Sequence, residues 1–291
     1  MTADFPLARA GTLDVAGQTV PRFGYGTMRL TGPQIFGPPA DPAEAVRVLR
    51  RAVELGIRVI DTAWYYGPYV AEELLVEALH PYPDDLVIVT KLGGARRDDA
   101  SWYSALSDPE LRAGCEHDLR LLKLDAIPVV HLRWMDNPDV PFEAALETLV
   151  ALQREGKIRG IGLSNVTDAH LDTALKETDV ATVSNAYSVL GRGDDAMVDR
   201  CAREGIPYLP FFPLGASPVR GGAGAQREPA VARVAERLGA TPTQVALAWL
   251  LARSPAVLPI PGTSRVAHLE ENVVAAGLEL SPTDLDELDA G

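Results

Sequence analysis

With 291 residues, 47% of them hydrophobic, the chain can bury a substantial core, and residues 1–291 are expected to form one domain. A formal net charge of -13 argues against nucleic acid or an anionic membrane surface as a partner. No run of about 20 apolar residues and no basic-then-apolar start is present, so a cytoplasmic protein is expected. Cys115 and Cys201 show no CxxC spacing, which argues against a metal site or a disulfide framework.

In chain order, the segment TLDVAGQTVPR places Ala16-Gly17 between two short extended pieces and predicts a hairpin that plugs a barrel floor. Eight aliphatic or β-branched runs follow: RFGYGT from Arg22, IRVIDTA from Ile57, LVIVTK from Leu86, DAIPVVHL from Asp125, KIRGIGLS from Lys157, VATVSN from Val180, IPYLPFF from Ile206 and VLPIPG from Val257. Amphipathic stretches separate them, as in DPAEAVRVLRRAVELG, where Asp41 suits a cap, Pro42 the first helical position and Gly56 a terminator. This alternation predicts an α/β fold, a (β/α)8 TIM barrel with an N-terminal β-hairpin and additional C-terminal helices. A doubly wound open sheet is the rival, but no GxGxxG follows a strand. The longer interruptions, Leu92 to Asp108 and Pro213 to Glu228, follow strand ends, where the loops of a barrel surround its active site.

Apolar runs end in residues able to act on a ligand: Asp61, Lys91, His131, Ser164-Asn165, Ser184-Asn185 and Phe211-Phe212. Each alone has an ordinary structural explanation as a cap, a surface charge or a packed ring. In a barrel all of them meet on one face. Tyr66 lies five residues after Asp61, where the chain turns at Gly67-Pro68, and brings a phenol to the same mouth. Asp61 and Lys91 are expected to pair, because buried charges are costly alone. A cation beside Tyr66 is expected to lower a pKa that is ordinarily about 10, giving a phenol that donates a proton to a carbonyl oxygen. His131 is expected to bind the same oxygen. No GxSxG, HExxH or GxxxxGK[ST] pattern supports hydrolase, zincin or P-loop chemistry.

At these residues the chain resembles the aldo-keto reductase family. GIRVIDTAWYYG resembles the segment carrying the catalytic Asp and Tyr, TK at Thr90-Lys91 carries the Lys, and VVHLRW carries the His. The resemblance implies NADPH, or NADH, bound across the barrel mouth and direct hydride transfer to a small-molecule carbonyl substrate, with Asp61, Tyr66, Lys91 and His131 catalytic. It implies cofactor contacts from Gly26, Thr27, Met28, Asp61, Ser164, Asn165 and Ser184, and from Phe211, Phe212, Pro213, Leu214 and Gly215. Gly262, Thr263, Ser264, Arg265, His268, Glu271 and Asn272 would clamp the adenosine phosphate. Without the resemblance, that last segment is a strand-to-helix turn whose amino end offers an ordinary anion site. The sequence departs from the family pattern at Ser184, usually glutamine, at Phe211, often tyrosine, and at Gly262 and His268, where many NADP-preferring members have Lys and Arg. Within the family, QIFGPP, LSNVT, LPFFPLG and ATPTQVALAWLLARSP resemble bacterial pyridoxal-reductase-like members, which implies an aromatic aldehyde such as pyridoxal. Trp64, Trp102, Tyr103, Arg133 and Trp134 are the candidate substrate-pocket residues. A biosynthetic ketoreductase or alcohol dehydrogenase and a non-catalytic NADPH-binding regulatory subunit are the alternatives. Nothing in the sequence fixes an oligomeric state.

Overall fold

Strand runs that are apolar on both faces need cover on both sides, and a closed parallel sheet ringed by helices supplies it. The computed structural model, which describes residues 6–137, 139–215 and 224–290, has this arrangement. The hairpin forms as β1 (Thr12–Val15) and β2 (Gln18–Pro21), paired antiparallel, with Ala16 and Gly17 both at positive φ in the turn. The barrel strands are β3 (Tyr25–Gly26), β4 (Val59–Asp61) and β5 (Val87–Leu92). A ribbon, β6 (Gly94–Arg96) and β7 (Trp102–Ser104), interrupts before β8 (Ile127–Arg133), β9 (Ile158–Ser164) and β10 (Val180–Ser184). The parallel order is β10-β9-β8-β5-β4-β3.

The seventh and eighth expected strands are not continuous ladders. Pro207, Pro210, Pro259 and Pro261 remove backbone donors there, so isolated bridges replace a ladder, Val183 with Tyr208, Ala186 with Phe211 and Tyr208 with Val257. The ring still closes. Leu209 N donates to Val183 O at 2.7 Å, Leu258 N to Tyr208 O at 2.9 Å and Gly24 N to Pro259 O at 2.9 Å, returning to β3.

The helices are α1 (Pro42–Glu54), α2 (Val70–Leu79), α3 (Asp108–Leu122), α4 (Phe142–Arg154), α5 (Asp168–Glu177), α6 (Asp195–Glu204), α7 (Pro229–Leu238), α8 (Pro242–Arg253), α9 (Val266–Val274) and α10 (Pro282–Asp289). Asp41 caps α1 through Glu44 N, with Pro42 in its first turn and Gly56 at φ 92 just beyond its end. Two helices, α7 and α8, separate the seventh and eighth strand segments, and α10 follows α9, so the expected additional C-terminal helices are present. Cys115 and Cys201 are buried free thiols in α3 and α6. Among the described residues no helix is long and apolar enough to cross a membrane.

Inside the barrel, Val59, Val87, Val89, Val129, Leu209, Leu258 and Ile260 pack with Val15 and Val20 of the hairpin. Each fully buried aliphatic side chain contributes about 1.5–3 kcal/mol. Gly160 admits the hairpin tip, because a Cβ there would lie 3.1 Å from that of Ala16. The hairpin thus closes the floor with hydrocarbon, and the charged pair of the interior lies toward the opposite end.

Outside the barrel, Thr90 of β5 faces α2 and α3. Its Oγ1 lies 3.2 Å from Glu72 Oε1 and 2.9 Å from Asp118 Oδ2, all three groups buried. A hydroxyl has one hydrogen, so one carboxyl must be protonated and donate to Thr90. Burial raises both carboxyl pKa values, and the charge of Asp118 raises that of Glu72 further. A carboxyl whose folded pKa is raised lowers stability as pH climbs above its ordinary value of about 4. Asp118→Asn should therefore raise the heat-denaturation midpoint more at about pH 8 than at about pH 5, by roughly 2–4 °C for each kcal/mol regained. An equal change at both pH values would contradict the shared proton.

Candidate active site

Parallel register sets the polar residues in rows. Lys91 of β5 pairs with His131 of β8, His131 with Gly162 of β9, and Gly162 with Thr182 of β10. Two residues further on, Arg133, Ser164 and Ser184 form the next row facing the same way. Asp61 ends β4 opposite Val89, one step toward the floor.

Lys91 Nζ donates to Asp61 Oδ1 at 2.6 Å and to Thr62 O at 2.8 Å, with both charged side chains about 5% exposed or less. Burial raises the pKa of Asp61, and the charge of Lys91 opposes that rise. The same ammonium lies 5.1 Å from the centre of the Tyr66 ring, so the phenol stands over the ion pair. The expected lowering of the Tyr66 pKa by Lys91 does not occur. Burial, and after it the charge of Asp61, push the phenol up, and the cation that opposes them is Arg133. Burial outweighs the opposing cation and favours the protonated form of Tyr66.

His131 is fully buried, and its Nε2 lies 2.7 Å from Thr182 Oγ1 while Nδ1 has no partner. Burial first, then the charges of Lys91 and Arg133, hold its pKa well below the ordinary value, so the imidazole is neutral. Gly162 makes this placement possible. A Cβ at that position would lie 2.2 Å from His131 Cδ2.

The expected cofactor positions line the mouth and one outer rim. Thr27 Oγ1 donates to Thr62 Oγ1 at 3.0 Å, and Met28 packs against the Tyr65–Tyr66 cluster. Gly26 and Gly262 are pressed together, a Cβ on Gly262 falling 2.6 Å from Gly26 O, which gives both a packing reason to lack a side chain. Ser164 Oγ accepts from Arg133 Nη1 at 3.2 Å, and Ser184 Oγ is buried without a partner. Asn165, at φ 61, donates from Nδ2 to Trp134 O at 2.9 Å. Phe211 meets Phe212 edge to face at 5.1 Å, and Phe212 has φ 55, costly for a bulky residue. Gly215 N closes the turn on Phe212 O, with Pro213 and Leu214 between them. Part of the loop expected from Pro213 to Glu228 lies outside the described residues.

On the rim, Ser264, Arg265 and His268 are exposed, Thr263 and Asn272 are buried, and Glu271 accepts from Thr241 Oγ1 at 2.7 Å. One amide at the amino end of α9 is already taken. Glu44 of α1 accepts from Val266 N at 2.9 Å, and that bond, ahead of Arg47, holds the Glu44 carboxyl below its usual range.

Of the expected pocket residues, Trp102 meets Tyr65 edge to face at 5.5 Å, and Tyr65 meets Tyr66 likewise at 5.3 Å. Tyr103 carries the Arg97 guanidinium 4.6 Å from its ring centre. Trp64 stacks on Tyr69 and backs this wall toward α3. Trp134 is not in the pocket. Arg133 points inward, so Trp134 points outward and packs on Phe142 and His170. Arg96, absent from the expectations, binds the carbonyls of Gln34, Ile35 and Ala100 and lies 4.2 Å from the centre of the Trp102 ring system. Gln34 and Ile35 both have positive φ, so this clamp holds a strained loop against the wall that carries Tyr66. Thr182 was also missed, although its place two residues before Ser184 puts it on the same face.

Residues 22–290 match the Aldo/keto reductase family. The chain is 47% identical to pyridoxine 4-dehydrogenase of Escherichia coli over 96% of its length and 98% of that protein's. An aldo-keto reductase from Klebsiella pneumoniae solved in complex with NADPH superposes with a TM-score of 0.79 at 28% identity, covering 96% of this chain and 94% of that one. A thermostable aldo-keto reductase solved with the inhibitor epalrestat gives 0.81 at 29% identity, covering 96% and 98%.

When followed by imidazole NMR and assigned against His131→Gln, His131 should be unprotonated at about pH 6.5, where an ordinary imidazole is half charged. In Gly162→Ala the added Cβ would lie 2.2 Å from His131 Cδ2, so the ring must shift and its imidazole resonances should move with it. Titration of His131 near 6.5 in the unaltered protein would contradict the buried neutral ring.

Proposed function

The chain belongs to the aldo/keto reductase family, and from that membership we propose that it reduces an aldehyde or ketone to the alcohol with Tyr66 as the proton donor. The observation that carries this reading is the Tyr66 phenol standing over the buried Lys91–Asp61 pair, in the mouth that also holds the buried His131. NADPH, when bound, supplies the hydride to the carbonyl carbon, and one proton completes the alcohol.

The residues present suit that cofactor. The partnerless hydroxyl of Ser184 and the hydroxyl of Ser164 lie on one row beside the Phe211 face, a donor and acceptor set for an amide-bearing ring. Gly26, Thr27, Met28, Asn165, Phe212, Pro213, Leu214 and Gly215 complete that part of the proposed site. Gly262, Thr263, Ser264, Arg265, His268, Glu271 and Asn272 form its outer clamp. Because Glu44 already takes the Val266 amide, a 2′-phosphate would depend on Arg265 and the polar groups beside it.

As negative charge develops on the carbonyl oxygen, Tyr66 releases its proton to it, and the charge of Arg133, the cation that opposes the rise in the phenol pKa, favours the phenolate left behind. His131 is held through Nε2 at Thr182 and leaves its buried Nδ1 without a partner, a second polar atom beside the reacting groups. The dehydrogenase name of the E. coli relative refers to pyridoxine, whose oxidation product is an aromatic aldehyde, and the aromatic wall of Tyr65, Tyr66 and Trp102 suits a flat ring. Pyridoxal is therefore the first aldehyde to try.

Tyr66→Phe should lower turnover of NADPH with pyridoxal or a panel of other aldehydes by about 10²–10⁴-fold, while leaving the fold intact. With the phenol pKa raised, reduction by the unaltered enzyme should not decline with rising pH below the ordinary tyrosine range of about 10. Oxidation of the alcohol, which needs the phenolate, should speed up as pH rises. Undiminished reduction by Tyr66→Phe would remove Tyr66 from the role.

A further inference from the structure

Arg133 is the inward-facing residue one row beyond His131 on β8, about 6–7 Å further along the strand. Its Nη1 donates to Ser164 Oγ at 3.2 Å, and its guanidinium carbon lies 4.9 Å from the centre of the Phe211 ring. The charges nearest the reacting centre are accounted for. Lys91 is paired with Asp61, His131 is neutral, and Arg96 is consumed by three backbone carbonyls. Among the described residues no carboxylate lies within ion-pair distance of Arg133, in a chain with 40 acidic residues against 27 Lys and Arg.

An unpaired, half-buried guanidinium is costly to hold unless something anionic arrives to pair with it. Its planar fork of N–H donors matches an oxygen anion better than a neutral oxygen, because hydrogen bonds between charged groups are about twice as strong. Its charge reaches the reacting centre, since it acts on Asp61, Tyr65, Tyr66 and His131 alike. The wall beside it is aromatic, formed by Tyr65, Tyr66 and Trp102.

We infer that Arg133 selects the substrate: the preferred carbonyl compound is a flat aromatic aldehyde carrying an anionic oxygen, phenolate or carboxylate, that pairs with the Arg133 guanidinium. This rests on the carbonyl-reductase reading of the same mouth. It adds a charge requirement to that reading, supplied by a side chain outside the Asp61, Tyr66, Lys91 and His131 set. The chemistry of reduction is unchanged, with the hydride going to the aldehyde carbon and the proton to its oxygen. Arg133 touches only the substituent.

The test compares 3-carboxybenzaldehyde with its neutral methyl ester, using saturating NADPH and reading the ratio of their kcat/KM values. The unaltered enzyme should favour the acid. Arg133→Gln and Arg133→Met should lower the ratio by about tenfold to a hundredfold, the range of a lost charge-assisted hydrogen bond, and Arg133→Lys should fall between. A general loss of folding or turnover would not move a ratio. A ratio unchanged in both neutral variants, or an unaltered enzyme that favours the ester, overturns the assignment. So does a change confined to the relative affinity for NADPH and NADP+, which would place Arg133 on the cofactor instead. Turnover of neither aldehyde, nor of any other carbonyl, would overturn the underlying reading and this one with it.

Discussion

The arrangement depends on one buried ion pair. Lys91 and Asp61 meet at 2.6 Å beneath the mouth, with the valine-rich plug on one side and the Tyr66 ring on the other. Two charges placed there cost several kcal/mol each in lost hydration, and removing one partner leaves the other uncompensated at about 3–5 kcal/mol. The closed apolar floor makes the pair expensive, and the same floor confines its field to the mouth. The second acceptor of Lys91, Thr62 O, fixes the ammonium toward β4 and under the phenol. Every other group in the mouth is set relative to that fixed charge.

Register then does the positioning. A parallel ladder fixes which residues stand level, so Lys91, His131, Gly162 and Thr182 share one row without any loop needing to hold them. Within that row the sizes are complementary. Glycine at 162 leaves the space that the imidazole crosses to reach Thr182, and the threonine hydroxyl fixes the ring once it is there. The loops contribute differently. Arg96 ties the Gln34–Ile35 turn and the β6–β7 ribbon to the aromatic wall through hydrogen bonds to carbonyls and contact with Trp102. Strand residues thus carry the charges, and loops bring the phenol and the wall.

Much of this was legible in the sequence because the signals were local. The hairpin, the Asp41-capped α1 and six of the strands follow from turn residues, caps and aliphatic runs read over a few positions. The seventh and eighth runs had the right composition and position, but alternating prolines left them too few donors for a ladder. Asp61, Lys91 and Tyr66 converge as expected. The electrostatics differed because burial of the phenol, with the charge of Asp61 beside it, outweighs the opposing cation, an effect of the packed surroundings that residue identity does not reveal. Trp134 and Thr182 show the opposite case, since strict two-residue alternation along β8 and β10 would have excluded the first and found the second. Glu44 against α9 was not legible, because its partner lies 222 residues away.

The central claim is that Lys91 and Asp61 act as one unit beneath Tyr66, and a double-mutant cycle tests it most directly. Asp61→Asn, Lys91→Met and the double variant would be compared by kcat/KM for reduction of one aldehyde, with thermal midpoints recorded alongside. If the pair is a unit, each single change should cost nearly as much activity as the double one, and the double variant should be the more stable for losing both buried charges. Losses that multiply, with no coupling between the two positions, would contradict it.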